Sequence, residues 1–244
     1  MKERMKVVFR PFLSCRQSRG VWACLAVAGV LLGACADRWS VRGSSSQSIL
    51  EGRTAYIRAV GEGGGRVIDS CEVLHGQFVM SGALDTVMLV RLSLGDDDLI
   101  PFVLEEGDIA IDIGSSSVSI GGTPLNDRLY VFLNSRDSLS LLRAALPREE
   151  SRMYLLGYSE DEILDYLGRE ELALVKAIDQ LETRFISENY DNALGIAWFL
   201  QLCAQAYRTF GYPTTTPQID ELYFHAPASF KQHPEVQRYM QACN

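Results

Sequence analysis

The spacing of apolar residues changes at Thr123-Pro124, from every second position to every third or fourth. That switch limits the chain to an α+β arrangement, with sheet first and helices after. Before it, apolar and polar residues alternate in short segments: Thr54–Val60, Arg66–Leu74, Gln77–Ser81, Thr86–Leu94, Leu99–Leu104, Ile109–Ile113 and Val118–Ile120. The clearest set places Met88, Val90, Leu92 and Leu94 on one face, and Ile109, Ile111 and Ile113 do the same further on. Successive strand side chains point to opposite faces, so such alternation means strands with one buried side. Seven short strands are too many for an open sheet that is wet on one face. Residues 50–122 are therefore expected to form an antiparallel β-sandwich or partial barrel.

After the switch the signals are helical. Thr123 reads as an N-cap with Pro124 in the first turn, and Leu125, Leu129, Phe132 and Leu133 recur at helical spacing up to Pro147, the expected stop. Ser159 to Glu162 (SEDE) spells a capping box, and Gly168 is the expected end of that helix. Leu174, Val175, Ile178, Leu181 and Phe185 form the next stripe, to about Glu188. Asp191 or Asn192 caps the most apolar helix, which carries Trp198 and Cys203 and ends near Gly211. Thr216-Pro217 and His233-Pro234 open two short terminal helices. Stripes of this kind need partners, so residues 123–244 are expected to pack as a helical domain that docks on the sheets.

The start of the chain has a different grammar. Lys2, Arg4, Lys6, Arg10, Arg16 and Arg19 precede the apolar run Val21–Cys35, which ends in Leu32-Gly33-Ala34-Cys35. A basic stretch, a short apolar stretch and small residues at a cleavage point describe a secretory signal. At sixteen residues, Val21–Ala36 is shorter than the roughly 20 that a membrane-spanning helix needs. With the cysteine directly after the small pair, residues 1–34 resemble a bacterial lipoprotein signal. The resemblance implies that Cys35 is lipidated with acyl chains such as palmitate and becomes the first mature residue. A single chain would hold only marginally. Residues 35–49, rich in Ser, Arg and Gly, are expected to be a flexible tether. Their only acid is Asp37, too little for a surface-export cluster, so the expected place is the periplasmic face of the outer membrane.

Residues 1–34 hold six of the 23 bases and one of the 31 acids, so the remainder stands at 17 against 30, a net charge of −13. An acidic chain of this kind argues against nucleic acid as a partner and against anionic lipid heads as a charge-based one. Three cysteines lie beyond Cys35: Cys71, Cys203 and Cys243. An odd number in an oxidising compartment leaves two readings open. Either Cys203 and Cys243 form a disulfide, or Cys71 and Cys203 are small buried apolar groups and Cys243 is a thiol near the chain end.

Taken in order, Ile68-Asp69-Ser70, Gly76-Gln77-Phe78, Gly82, Phe102-Val103-Leu104-Glu105-Glu106-Gly107-Asp108 and Gly122-Thr123-Pro124-Leu125-Asn126-Asp127 resemble domain of unknown function 4369, over about residues 50–130. The resemblance implies a β domain of the kind that precedes a helical segment and a thioredoxin-like domain in envelope thiol–disulfide oxidoreductases. Phe185-Ile186-Ser187-Glu188-Asn189 is similar to the linker helices of the same proteins. No Trp-Cys-x-x-Cys occurs in these 244 residues, so the family's redox activity is not expected to carry over.

Other chemistry-bearing residues read as structural. His75, His225 and His233 lack the spacing of metal ligands or of a catalytic pair. Asp96, Asp97 and Asp98 lack the spread of a calcium loop and read as a solvated hairpin tip, as do Glu105, Glu106 and Asp108. Gly61–Gly65 lacks the lysine of a phosphate loop, no serine sits in a nucleophile elbow, and Trp198 reads as core. No catalytic residue, metal or cofactor is expected. The expectation is a lipid-anchored, non-enzymatic envelope protein that binds a protein or small molecule, with a strand added to a free sheet edge as one mode. The rival expectations are a redox protein using Cys203 and Cys243, and an accessory to a separate thioredoxin-like oxidoreductase.

Overall fold

The computed structural model describes residues 37–60, 65–94, 97–115 and 117–243, the stretch 97–99 by backbone alone. The signal segment, Cys35, the glycine run 61–64 and Asp96 lie outside the described residues. Eight strands are present among the described residues: β1 (Arg38–Ser45), β2 (Thr54–Ala59), β3 (Val67–Glu72), β4 (Gln77–Ala83), β5 (Met88–Leu94), β6 (Asp97–Leu104), β7 (Gly107–Ile113) and β8 (Val118–Gly121). They form two four-stranded sheets, ordered β4-β1-β7-β8 and β3-β2-β5-β6. The inner faces enclose one core, with Val41, Ile57, Leu92, Phe102 and Ile109 essentially inaccessible to solvent. The β part is a sandwich of two separate sheets.

Two expectations about this part need correction. Residues 38–45 are no tether: β1 lies inside the first sheet, between β4 and β7. Its alternation is masked because serine, arginine and glycine occupy most positions, yet Trp39, Val41 and Gly43 face inward. At Gly43 the Phe78 ring fills the place of a side chain, so close that a Cβ there would overlap it. The sandwich therefore starts near residue 38, not 50. Nor is the pairing wholly antiparallel, since β1 runs parallel to β7, Trp39 opposite Gly107 through Ser45 opposite Ile113. Parallel neighbours need a long crossover, which here runs through β2 to β6, including β4 of the same sheet.

Six helices follow: α1 (Pro124–Leu155), α2 (Glu160–Ser187), α3 (Ala193–Phe210), α4 (Pro217–His225), α5 (Ala228–Lys231) and α6 (Pro234–Ala242). The Ser159 capping box and the Asn192 N-cap are both formed, and Gly211 closes α3 in the left-handed conformation. The expected stops at Pro147 and Gly168 do not occur. Proline inside a helix costs about 3 kcal/mol, and glycine stops a helix only where the chain turns left-handed after it. Strong helix formers on both sides, and pairing of the two helices along their length, override both signals.

A buried polar latch joins sheet to helix. The carboxylate of Glu105, at the end of β6, accepts the backbone N–H groups of Leu125 (2.9 Å) and Asn126 (3.0 Å). Glu105 is thus buried against the first turn of α1, not a solvated tip, and supplies the acceptor for helix N–H groups that Thr123 was expected to supply. Asn126 is fully buried and pairs with β6 as a neighbouring strand would. Its Oδ1 accepts from the Val103 N–H (2.8 Å), and its Nδ2 donates to the Val103 carbonyl (2.7 Å) and to Thr123 Oγ1 (2.8 Å). One turn of helix is thereby stitched to the outer strand of the second sheet. Above the latch, Val103 joins Leu129, Phe132, Phe185 and Leu194 in a shared cluster.

Candidate functional site

Sheet edges are the first place to look for partner binding, and the described ones are engaged at key points. Asn126 takes both backbone groups of Val103 on edge strand β6. The β3–β4 turn puts His75 and Gly76 at φ 54° and 69°, both left-handed, and the Glu51 carboxylate accepts both of their N–H groups. Those bonds hold the Glu51 carboxyl below its ordinary range. Strand addition at these points would first have to break existing bonds.

The helical part offers an open feature instead. At 32 and 28 residues, α1 and α2 are roughly 48 and 42 Å long. They run antiparallel, since Arg136 pairs with Glu182, Arg143 with Glu171, and Met153 and Ile163 are buried near the turn between them. From Leu133 to Arg152 on α1, and from Leu164 to Leu181 on α2, no residue is fully buried. The two helices form an arm that packs mainly on itself.

Along one side of the arm lies a cleft of about 630 Å³. Its apolar lining includes Ala144, Leu146, Pro147, Val175 and Ile178, and Gln205 of α3 contributes at one end. Charged pairs cross it. Arg136 Nε donates to the buried Glu182 carboxylate at 2.7 Å, while Arg143 meets one oxygen of Glu171 through Nε (2.7 Å) and Nη2 (2.6 Å). Asp179 lines the same space without an ion partner among the described residues, and partial desolvation pushes its carboxyl pKa up. Gln218 Nε2 donates to the Asp179 carbonyl and to Thr183 Oγ1, which ties α4 to this stretch of α2. The cleft lining thus mixes apolar side chains with fixed charges.

The residues singled out in the sequence do not assemble. His75 sits in the β3–β4 turn, His225 ends α4 with Nδ1 at 3.0 Å from the Glu221 carbonyl, and His233 precedes α6. Asp97 and Asp98 belong to β6, opposite Leu94 and Ser93. Among the described residues no three His, Cys, Asp or Glu side chains are grouped to hold a metal, and no helix is long and apolar enough to cross a membrane. Trp198 lies edge-on to Phe132 and Phe185, with ring centres 4.8 and 5.8 Å apart.

Cys71, Cys203 and Cys243 are free thiols, and none is activated. Burial pushes Cys203 up to about 12 and raises Cys243 and Cys71 as well. A thiol held above its ordinary 9.0 favours the folded state below pH 9, and that contribution is lost as pH rises from 9 towards about 12. In reducing buffer, the wild type is expected to lose about 2 kcal/mol more stability than Cys203→Ala between pH 8 and pH 10.5, at about 1.4 kcal/mol per pH unit above 9. Urea unfolding at the two pH values measures this, and parallel losses in the two proteins would mean that Cys203 titrates normally.

Fold and cleft together define a β-sandwich latched to an α-helical arm. Residues 40–129 match the family model described as Domain of unknown function (DUF4369). The match begins within β1 and ends one turn past Asn126, so the matched stretch takes in most of that strand and the latch residues Glu105 and Asn126. Comparison with curated proteins finds no match to the chain.

Proposed function

We propose that the protein is a lipid-anchored envelope module that acts by binding, without chemistry of its own, and that the α1–α2 cleft is its recognition surface. One observation carries the binding part. Over 133–152 and 164–181 the two long helices have no fully buried residue, and Leu141, Leu142, Leu164 and Leu172, beside the cleft lining, stay 58–72% exposed. Apolar surface left open in this way marks interaction sites. The occupant that fits is a protein segment with an apolar ridge for Ala144, Pro147, Val175 and Ile178 and a basic side chain for Asp179. The basic segment, apolar run and Leu32-Gly33-Ala34-Cys35 support an anchor at Cys35, on the periplasmic face of the outer membrane. The matched β domain makes a separate thioredoxin-like oxidoreductase the first partner to test, with this chain as its accessory. No observation favours a dithiol catalyst, because Cys203 and Cys243 are shifted away from reactivity.

The test is retention of an envelope partner by immobilised full chain. Val175→Glu should reduce retention tenfold or more, equivalent to about 1.4 kcal/mol. Val79→Glu, on the exposed face of the sandwich, should not. Equal retention by wild type and Val175→Glu, at unchanged helicity, would remove the cleft from the reading. In the same preparation, Cys35→Ala should be soluble or unprocessed, and a processed, membrane-bound variant would remove the anchor.

A further inference from the structure

We propose that Cys203 on α3 and Cys243 at the end of α6 are a disulfide-forming pair, closed by exchange with a low-molecular-weight disulfide, that pins the last helix to the helical core. The inference is independent of the cleft and its partner. It starts from Tyr239, whose hydroxyl lies 2.9 Å from the backbone carbonyl oxygen of Cys203 and 2.8 Å from that of Thr214. Cys243 follows Tyr239 by four residues, with its N–H bonded to the Tyr239 carbonyl, so both side chains lie on one face of the helix. That face rests on α3. Val236 is fully buried and Tyr239 and Met240 partly so, in the cluster that contains Cys203, and the two thiols are near enough for Cys243 to raise the pKa of Cys203. The remaining described thiol, Cys71, packs partly buried against the sandwich core, a different cluster.

The exposures of the two thiols set the order of events. Cys203 is 1% exposed and Cys243 half-buried, so the oxidant meets Cys243 first. Cys243 gives its proton to solvent and its sulfur attacks the oxidant disulfide, releasing one thiol and leaving a mixed disulfide. Cys203 then loses its proton, attacks the Cys243 sulfur and expels the second thiol. Two protein thiols are oxidised and one oxidant disulfide is reduced to two thiols. Burial of Cys203 makes the second step the slow one.

The test is to incubate the purified full chain with oxidised glutathione, map its peptides without reduction, and melt it. A peptide pair linked through Cys203 and Cys243 is expected. The melting temperature should rise by roughly 5–10 °C, a rise absent from Cys243→Ser and reversed by dithiothreitol. Cys243 carrying glutathione while Cys203 stays free would overturn the pairing. So would a bridge from either residue to Cys71. A linked pair with an unchanged melting temperature would overturn the pinning.

Discussion

Phe132→Ala is expected to lower the unfolding free energy by about 3–5 kcal/mol, the largest loss foreseen for any single change in this protein. Phe132 is 4% exposed, and its ring stacks on Phe185 with centres 3.8 Å apart and meets Trp198 edge-on. These rings share a cluster with Val103 of β6 and Leu194 of α3. Truncation therefore opens a cavity where sandwich, arm and helical core meet, and the neighbours cannot all collapse into the space. Urea unfolding followed by tryptophan fluorescence measures the loss. Val131→Ala, one residue away and 65% exposed, is the control and should stay within about 0.5 kcal/mol of wild type. A loss under about 1 kcal/mol for Phe132→Ala would mean that the cluster does not hold the two parts together.

Asn126→Ala should cost about 3 kcal/mol by a different route. Little apolar area is lost, but the Val103 N–H and C=O are left buried without partners, and each such group carries a desolvation penalty of about 1–3 kcal/mol. Asn126→Asp separates shape from bonding. It keeps the acceptor for the Val103 N–H, but replaces the donor to the Val103 carbonyl with a second carboxylate beside Glu105. It should be at least as destabilising as the alanine change. If Asn126→Asp matches wild type in urea unfolding, the latch is held by shape alone.

How far these features could be read in advance depended on whether a signal was local. Strands β2 to β8 were visible because their inward positions carry Val, Ile, Leu and Phe, and the period-two pattern survives in the bare sequence. β1 was not visible, because one of its inward positions is a glycine whose space is filled by Phe78, 35 residues further on. The Ser159 capping box was legible, since both of its partners lie within one turn. Glu105 was misread for the opposite reason: its partners at 125 and 126 lie beyond a whole hairpin. The order of motifs that resembles the family contains Glu105 and the Thr123-Pro124-Leu125-Asn126 turn, but a motif list does not say that its members touch.

By itself the sequence determined the class of each segment and the place where sheet yields to helix, because periodicity and capping depend on neighbours a few residues apart. It also carried the address-like grammar that ends at Cys35. Only the tertiary structure decided that residues 38–45 belong to the sandwich, that Pro147 and Gly168 leave their helices intact, and that α1 and α2 stand together around an open cleft. Each of those outcomes is set by contacts between residues distant in the chain, whose free energies outweigh local preferences of about 1–3 kcal/mol.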